Sequence, residues 1–63
     1  MLGQKIRRLR EAAGLQQADL ARAAGVTQGY IALLERGQRK NPSLQVLRRI
    51  AKRLNTDPAN LIE

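Results

Sequence analysis

The chain has 63 residues, with no cysteine, no histidine, no Phe and no Trp. That length allows one domain around one small core, and the composition excludes a disulfide framework and a Cys or His zinc site. Twelve basic residues against five acidic ones give a formal charge of +7, which favours a polyanionic partner, although such a charge also fits a merely soluble surface. With Tyr30 as the only aromatic residue, the core must be built from Leu, Ile, Val and Ala. No apolar run approaches the ~20 residues that span a bilayer. The opening "MLGQKIRRLREAAG" has the charge pattern of a basic amphipathic helix but lacks the apolar core of a secretory signal. A cytoplasmic address is expected.

Leu2, Ile6, Leu9 and Ala13 recur at three and four residues and predict a first helix, with Lys5, Arg7, Arg8 and Arg10 largely on its other faces. Gly14 is expected to end it as a left-handed cap, after which Leu15 points back to the core. "QQADLARAAG" predicts a second helix of about two turns, with Leu20, Ala21 and Ala24 buried and Asp19 suiting its positive end. Gly25 stops it, and Val26 turns inward. Thr27 is the expected N-cap of a third helix with Ile31 and Leu34 inside, Tyr30 at its edge and Gly37 at its end. "RGQRKNP" is too polar for core and reads as a turn. Pro42-Ser43 is expected to begin a fourth helix, Ser43 capping it, with Leu44, Leu47, Ile50, Ala51 and Leu54 on its inner face and Asn55 as C-cap. Asp57 as cap and Pro58 at the first helical position predict a last turn that folds Leu61 and Ile62 onto the bundle. The expected fold is all-α, five short helices forming one domain over residues 1–63, either a whole small protein or part of a longer parent chain.

Two short helices about a glycine-centred turn, spanning about residues 17–36, suggest a helix-turn-helix. The stretches "LREAAGLQQADLARAAGVTQGYIALLERG" and "NPSLQVLRRIAKRLNTDPANLI" resemble the phage-repressor and Cro-type helix-turn-helix domains over roughly Ile6 to Ile62. The latter half is similar to small bacterial repressors of that group. The resemblance implies a transcriptional repressor or regulator that binds a palindromic duplex operator, at least on DNA as a homodimer, with the third helix in the major groove. It implies that Gln17 contacts a phosphate and that Gln28 reads a base, an amide there being able to pair with adenine N6 and N7. It also implies an Arg10–Glu35 pair bridging the first and third helices, the alternative for Arg10 being a phosphate contact or a solvated charge. Arg36, Gln38, Arg39 and Lys40 then lie along the DNA backbone, unless they are only a solvated turn.

The chain also departs from that pattern. Gln16 stands where the family has Ser, Thr or Asn, so the second helix is expected to start less firmly. Gly29, Ala32 and Leu33 share the outward face with Gln28, and are expected to approach the bases by backbone and by contact with thymine methyls. Tyr30 either reaches a phosphate or base edge, or covers the turn as a half-buried ring. The pairs Arg48/Lys52 and Arg49/Arg53 are either a solvated face or meet an acidic partner, flanking DNA or an acidic segment of the parent chain.

No enzyme chemistry is predicted. The acids are scattered, Glu35 is committed to Arg10, and no nucleophile–base pair, phosphate loop, metal site or cofactor is implied. The rival reading is a protein-interaction module, antitoxin-like or cofactor-bridging, in which Leu33 exposed beside Ala32 makes the contact. Any dimer interface is expected near the end of the fourth helix and Asp57 to Ile62.

Overall fold

The computed structural model describes residues 2–62; Met1 and Glu63, the two ends of the expected domain, lie outside them. Five helices form among these residues: α1 (Leu2–Ala12), α2 (Gln17–Ala24), α3 (Gln28–Glu35), α4 (Leu44–Arg53) and α5 (Pro58–Ile62). None is long and apolar enough to cross a membrane. α2 packs against both α3 and α4, α1 lies on α3 and α5, and α5 closes on α4. The small Ala21 and Ala24, both buried, permit that close packing around α2.

Ile6, Leu20, Ile31, Leu34, Ile50 and Leu61 are almost completely buried at the centre. Each such side chain contributes about 1.5–3 kcal/mol by leaving water. Leu15, Val26 and Tyr30 pack against this core while keeping part of their surface exposed.

Four helices end in one hydrogen-bond pattern, in which the residue after the left-handed position reaches five residues back: Leu15 to Arg10, Val26 to Ala21, Gln38 to Leu33 and Thr56 to Ala51. The left-handed residues are Gly14, Gly25, Gly37 and Asn55. At Gly25, with φ 72°, this geometry turns the chain from α2 into α3 within three residues, a turn that a Cβ would strain. The starts are capped by side chains. Thr27 Oγ1 accepts from Tyr30 N–H at 3.1 Å, Ser43 Oγ from Val46 N–H at 3.2 Å, and Asp57 Oδ1 from Ala59 N–H at 2.9 Å. α2 is held in the reverse sense: Asp19 Oδ2 accepts from the Gln16 backbone N–H at 2.9 Å, which offsets the poor capping residue.

The apolar periodicity overshoots at three places. Ala13 is exposed, because α1 stops at Ala12 and Ala13 already belongs to the turn. Leu44 is 57% exposed, since it opens α4 beyond the reach of α2 and α5. Ile62 is 64% exposed, since a five-residue helix turns only Leu61 inward. Pro42 precedes the Ser43 cap and does not itself enter α4.

Candidate nucleic-acid interface

Arg10 on α1 and Glu35 at the end of α3 are both buried and form a two-pronged pair. Arg10 Nε lies 2.6 Å from Glu35 Oε2 and Nη2 lies 3.1 Å from Oε1. The third arm, Nη1, donates to the Leu15 carbonyl at 2.8 Å, inside the turn that precedes α2. Gln17 Nε2, in the first turn of α2, donates to Glu35 Oε1 at 3.0 Å. One carboxylate therefore ties α1, α2 and α3 together. The hydrogen bond to Glu35 raises the Arg10 pKa above its already high ordinary value, against the opposing cost of burial. Arg10 is a buried tie rather than an outward-facing phosphate donor.

A cleft of about 350 Å³ opens above this tie, lined by Arg7, Arg10, Gln17, Ala32, Glu35 and Arg36. Gln17, Ala32 and Arg36 meet there. Arg7 joins them, exposed and 3.3 Å from Glu11, as a residue that the sequence reading had placed only among the outer charges of α1. The signal for it was the basic run Arg7, Arg8, Arg10, whose facing could not be assigned without the partner helices.

Along α3, Gln28 and Gly29 are exposed at the start of the helix, whereas Ala32 and Leu33 are half-buried. The apolar part of this face is thus smaller than expected, with Leu33 half-buried rather than fully exposed. A Cβ on Gly29 would meet only Thr27 Oγ1, at 3.8 Å, so nothing within the domain demands glycine there. The Arg39 guanidinium stacks over the half-buried Tyr30 ring, 4.4 Å from its centroid, and holds the loop against α3. Arg36 Nε reaches back to the Ala32 carbonyl at 3.4 Å. Gln38 and Lys40 are exposed in the same loop. Arg39 and Lys40 border a separate cleft with Leu2, Gly3, Leu34 and Gly37, so the loop places cations on two sides of the end of α3.

From Gln28 to Lys40 the only carboxylate is Glu35, buried and paired, while Arg36, Arg39 and Lys40 stay at the surface. The outward face of α3 is therefore polar and backbone-accessible at its start and positive at its end. Among the described residues no group of acids resembles a metal site.

Gly3 had no part in the sequence reading. It is buried in the first turn of α1, where a methyl group would overlap the Leu34 carbonyl oxygen and lie 2.9 Å from the Glu35 carbonyl oxygen. It sets how closely α1 approaches the end of α3.

A helix-turn-helix family model matches residues 6–61. The HTH-type transcriptional regulator SinR of Bacillus subtilis (strain 168) is 33% identical over 63 residues, covering 100% of this chain and 57% of SinR. The crystal structure of SinR in complex with DNA superposes with a TM-score of 0.93, covering all of both chains at 33% identity. The restriction-modification controller protein C.AhdI from Aeromonas hydrophila is 42% identical with a TM-score of 0.87, over 95% of this chain and 89% of that one. The P22 c2 repressor, in complex with a synthetic operator, gives a TM-score of 0.94 at 28% identity, over 100% and 94% of the two chains. The chain spans about half the length of the curated relatives it matches. SinR, C.AhdI and the P22 c2 repressor thus share this fold, and the phage-repressor and Cro-type label widens accordingly. The chain belongs to the helix-turn-helix family, an all-α fold and not an enzyme fold.

Proposed function

We propose that this domain binds duplex DNA in a sequence-specific manner as part of a transcriptional regulator, most simply a repressor. In this reading α3 enters the major groove with its N-terminal end foremost. Gln28 reads a base edge, the Gly29 backbone approaches closely, and Ala32 and Leu33 touch thymine methyls from their half-exposed positions. Gln17, Tyr30, Arg36, Gln38, Arg39 and Lys40 take the phosphates, with Gln17 using its second amide hydrogen because the first is held by Glu35. The Arg10–Glu35 pair orients α3. The observation that carries the proposal is the charge arrangement: exposed cations follow α3, and the one carboxylate between Gln28 and Lys40 is buried and paired.

A 63-residue module offers limited contact area, so binding as a homodimer to a palindrome follows. Direct readout is thin, with one strong polar reader, and DNA shape and half-site spacing supply the remainder. Selecting bound sequences from a random duplex pool tests this. Two half-sites related by a dyad are expected, and Gln28→Ala should relax preference at one base pair per half-site by about 1–3 kcal/mol while leaving the others. A pool that stays random overturns the proposal. Loss at several purine positions regardless of Gln28 overturns the thin-readout part.

A further inference from the structure

The reading face leaves a second concentration of positive charge unused. Arg49, Lys52 and Arg53, with Ala23 and Asn55, line a trough of about 650 Å³ between the end of α2 and the end of α4. α2 packs against both α3 and α4, and α3 and α4 do not pack on one another to a comparable extent. None of the residues that line the trough belongs to α3, although Arg49 Nη1 reaches to 3.1 Å from where a Cβ on Gly25 would stand, in the turn before α3.

Part of this charge has a local explanation. Two helix C-termini converge here, and Arg49 Nη1 lies 3.5 Å from the Ala24 carbonyl at the end of α2. Each helix end carries roughly half a negative charge. Three cations exceed what two helix ends offset by about two charges. Among the described residues no carboxylate lies within 4.0 Å of any of the three. The four described acids are engaged elsewhere: Glu11 with Arg7, Asp19 with Gln16 and Arg22, Glu35 with Arg10, Asp57 at its cap. Arg49 and Arg53 also repel one another at a spacing of four along α4, which mildly opposes folding. About two of the three charges thus have no stabilising partner within the described residues.

We propose that this trough is a docking site for an acidic protein segment, independent of the DNA-reading face. The three cations line the trough together with Ala23 and Asn55, so carboxylate side chains of an extended strand can pair with them beside the apolar Ala23. The carbonyl end of α2 borders the trough, and a peptide backbone brings N–H donors to it, whereas a duplex brings only phosphate acceptors. Arg49, steered by the Ala24 carbonyl, is already turned toward the seam.

The probe is a short fluorescein-labelled poly-glutamate peptide, titrated by anisotropy at low salt against the whole chain. Neutralising the trough with Arg49→Gln, Lys52→Gln and Arg53→Gln together should weaken binding about tenfold, as three partly exposed ion pairs would. Removing the same charge from the reading side with Arg36→Gln, Arg39→Gln and Lys40→Gln should change it less than about twofold. Amide shifts of the wild-type domain on peptide addition should centre on Ala23, Arg49 and Asn55, a readout that needs no variant. Equal weakening by the two triple variants, or shifts centred on α3, overturns the proposal. So does loss of duplex DNA affinity in the trough variant matching that of the loop variant, which would assign the surface to flanking DNA.

Discussion

Arg10 shows how much of this domain hangs on single side chains. Its guanidinium makes two bonds to Glu35 and one to Leu15 O, and both charged residues are buried. Removing one partner of a buried pair costs about 3–5 kcal/mol, because the other charge stays behind unmatched. A domain of this size holds only about 3–9 kcal/mol in total. Arg10→Ala should therefore remove a third or more of the stability in urea unfolding; a loss below about 1 kcal/mol contradicts the role given to the tie. Because the Arg10 pKa is raised in the folded state, its contribution is fully present at neutral pH and disappears only as pH rises through the guanidinium range. Gly3 makes the opposite case, where an added atom does harm. Gly3→Ala must push α1 away from the Leu34 and Glu35 carbonyls, and overpacking of this kind costs about 1–3 kcal/mol. The expected result is a lowered urea midpoint together with weakened DNA binding, since the end of α3 is displaced. An unchanged midpoint would show that the seam is looser than described. Gly3 was not legible in the sequence because a glycine inside a helical pattern carries no turn signal, and the carbonyls it meets are more than thirty residues away.

At the scale of elements, punctuation was readable and partnership was not. Gly14, Gly25, Gly37 and Asn55 announced four helix ends, and Thr27, Ser43 and Asp57 three starts, because caps are local chemistry. Leu44 and Ile62 misled because periodicity says which face a residue shares, not whether another helix reaches that far. The Gln17–Glu35 bond depends on the packing of α2 on α3, and the Arg39–Tyr30 stack on the loop folding back along α3. α3 itself carries a testable tension at Gly29. A Cβ at that position makes only an ordinary contact with Thr27 Oγ1, so Gly29→Ala should stabilise the fold by up to about 1 kcal/mol through helix propensity. The same methyl would stand between backbone and bases, and DNA binding should weaken. Thermal unfolding and duplex titration of one variant check both halves; tighter or unchanged DNA binding removes close backbone approach from the account.

At the scale of the whole molecule, the four described acids are spent on caps and pairs, while most of the cations, Arg10 apart, remain outside. The fold followed from helix spacing and turn chemistry, and the family from the resemblance of whole stretches of sequence. The division of the cations into a reading side and a separate trough did not, since it depends on how α2 stands between α3 and α4. The central claim is that the reading side recognises a particular duplex. Its most direct test measures affinity for the selected duplex and for a scrambled one over a range of salt concentrations. The selected duplex should bind about 1000-fold or more tightly than the scrambled one at physiological salt, with log affinity falling linearly in log salt. Equal affinity for the two duplexes, or no salt dependence, would contradict it.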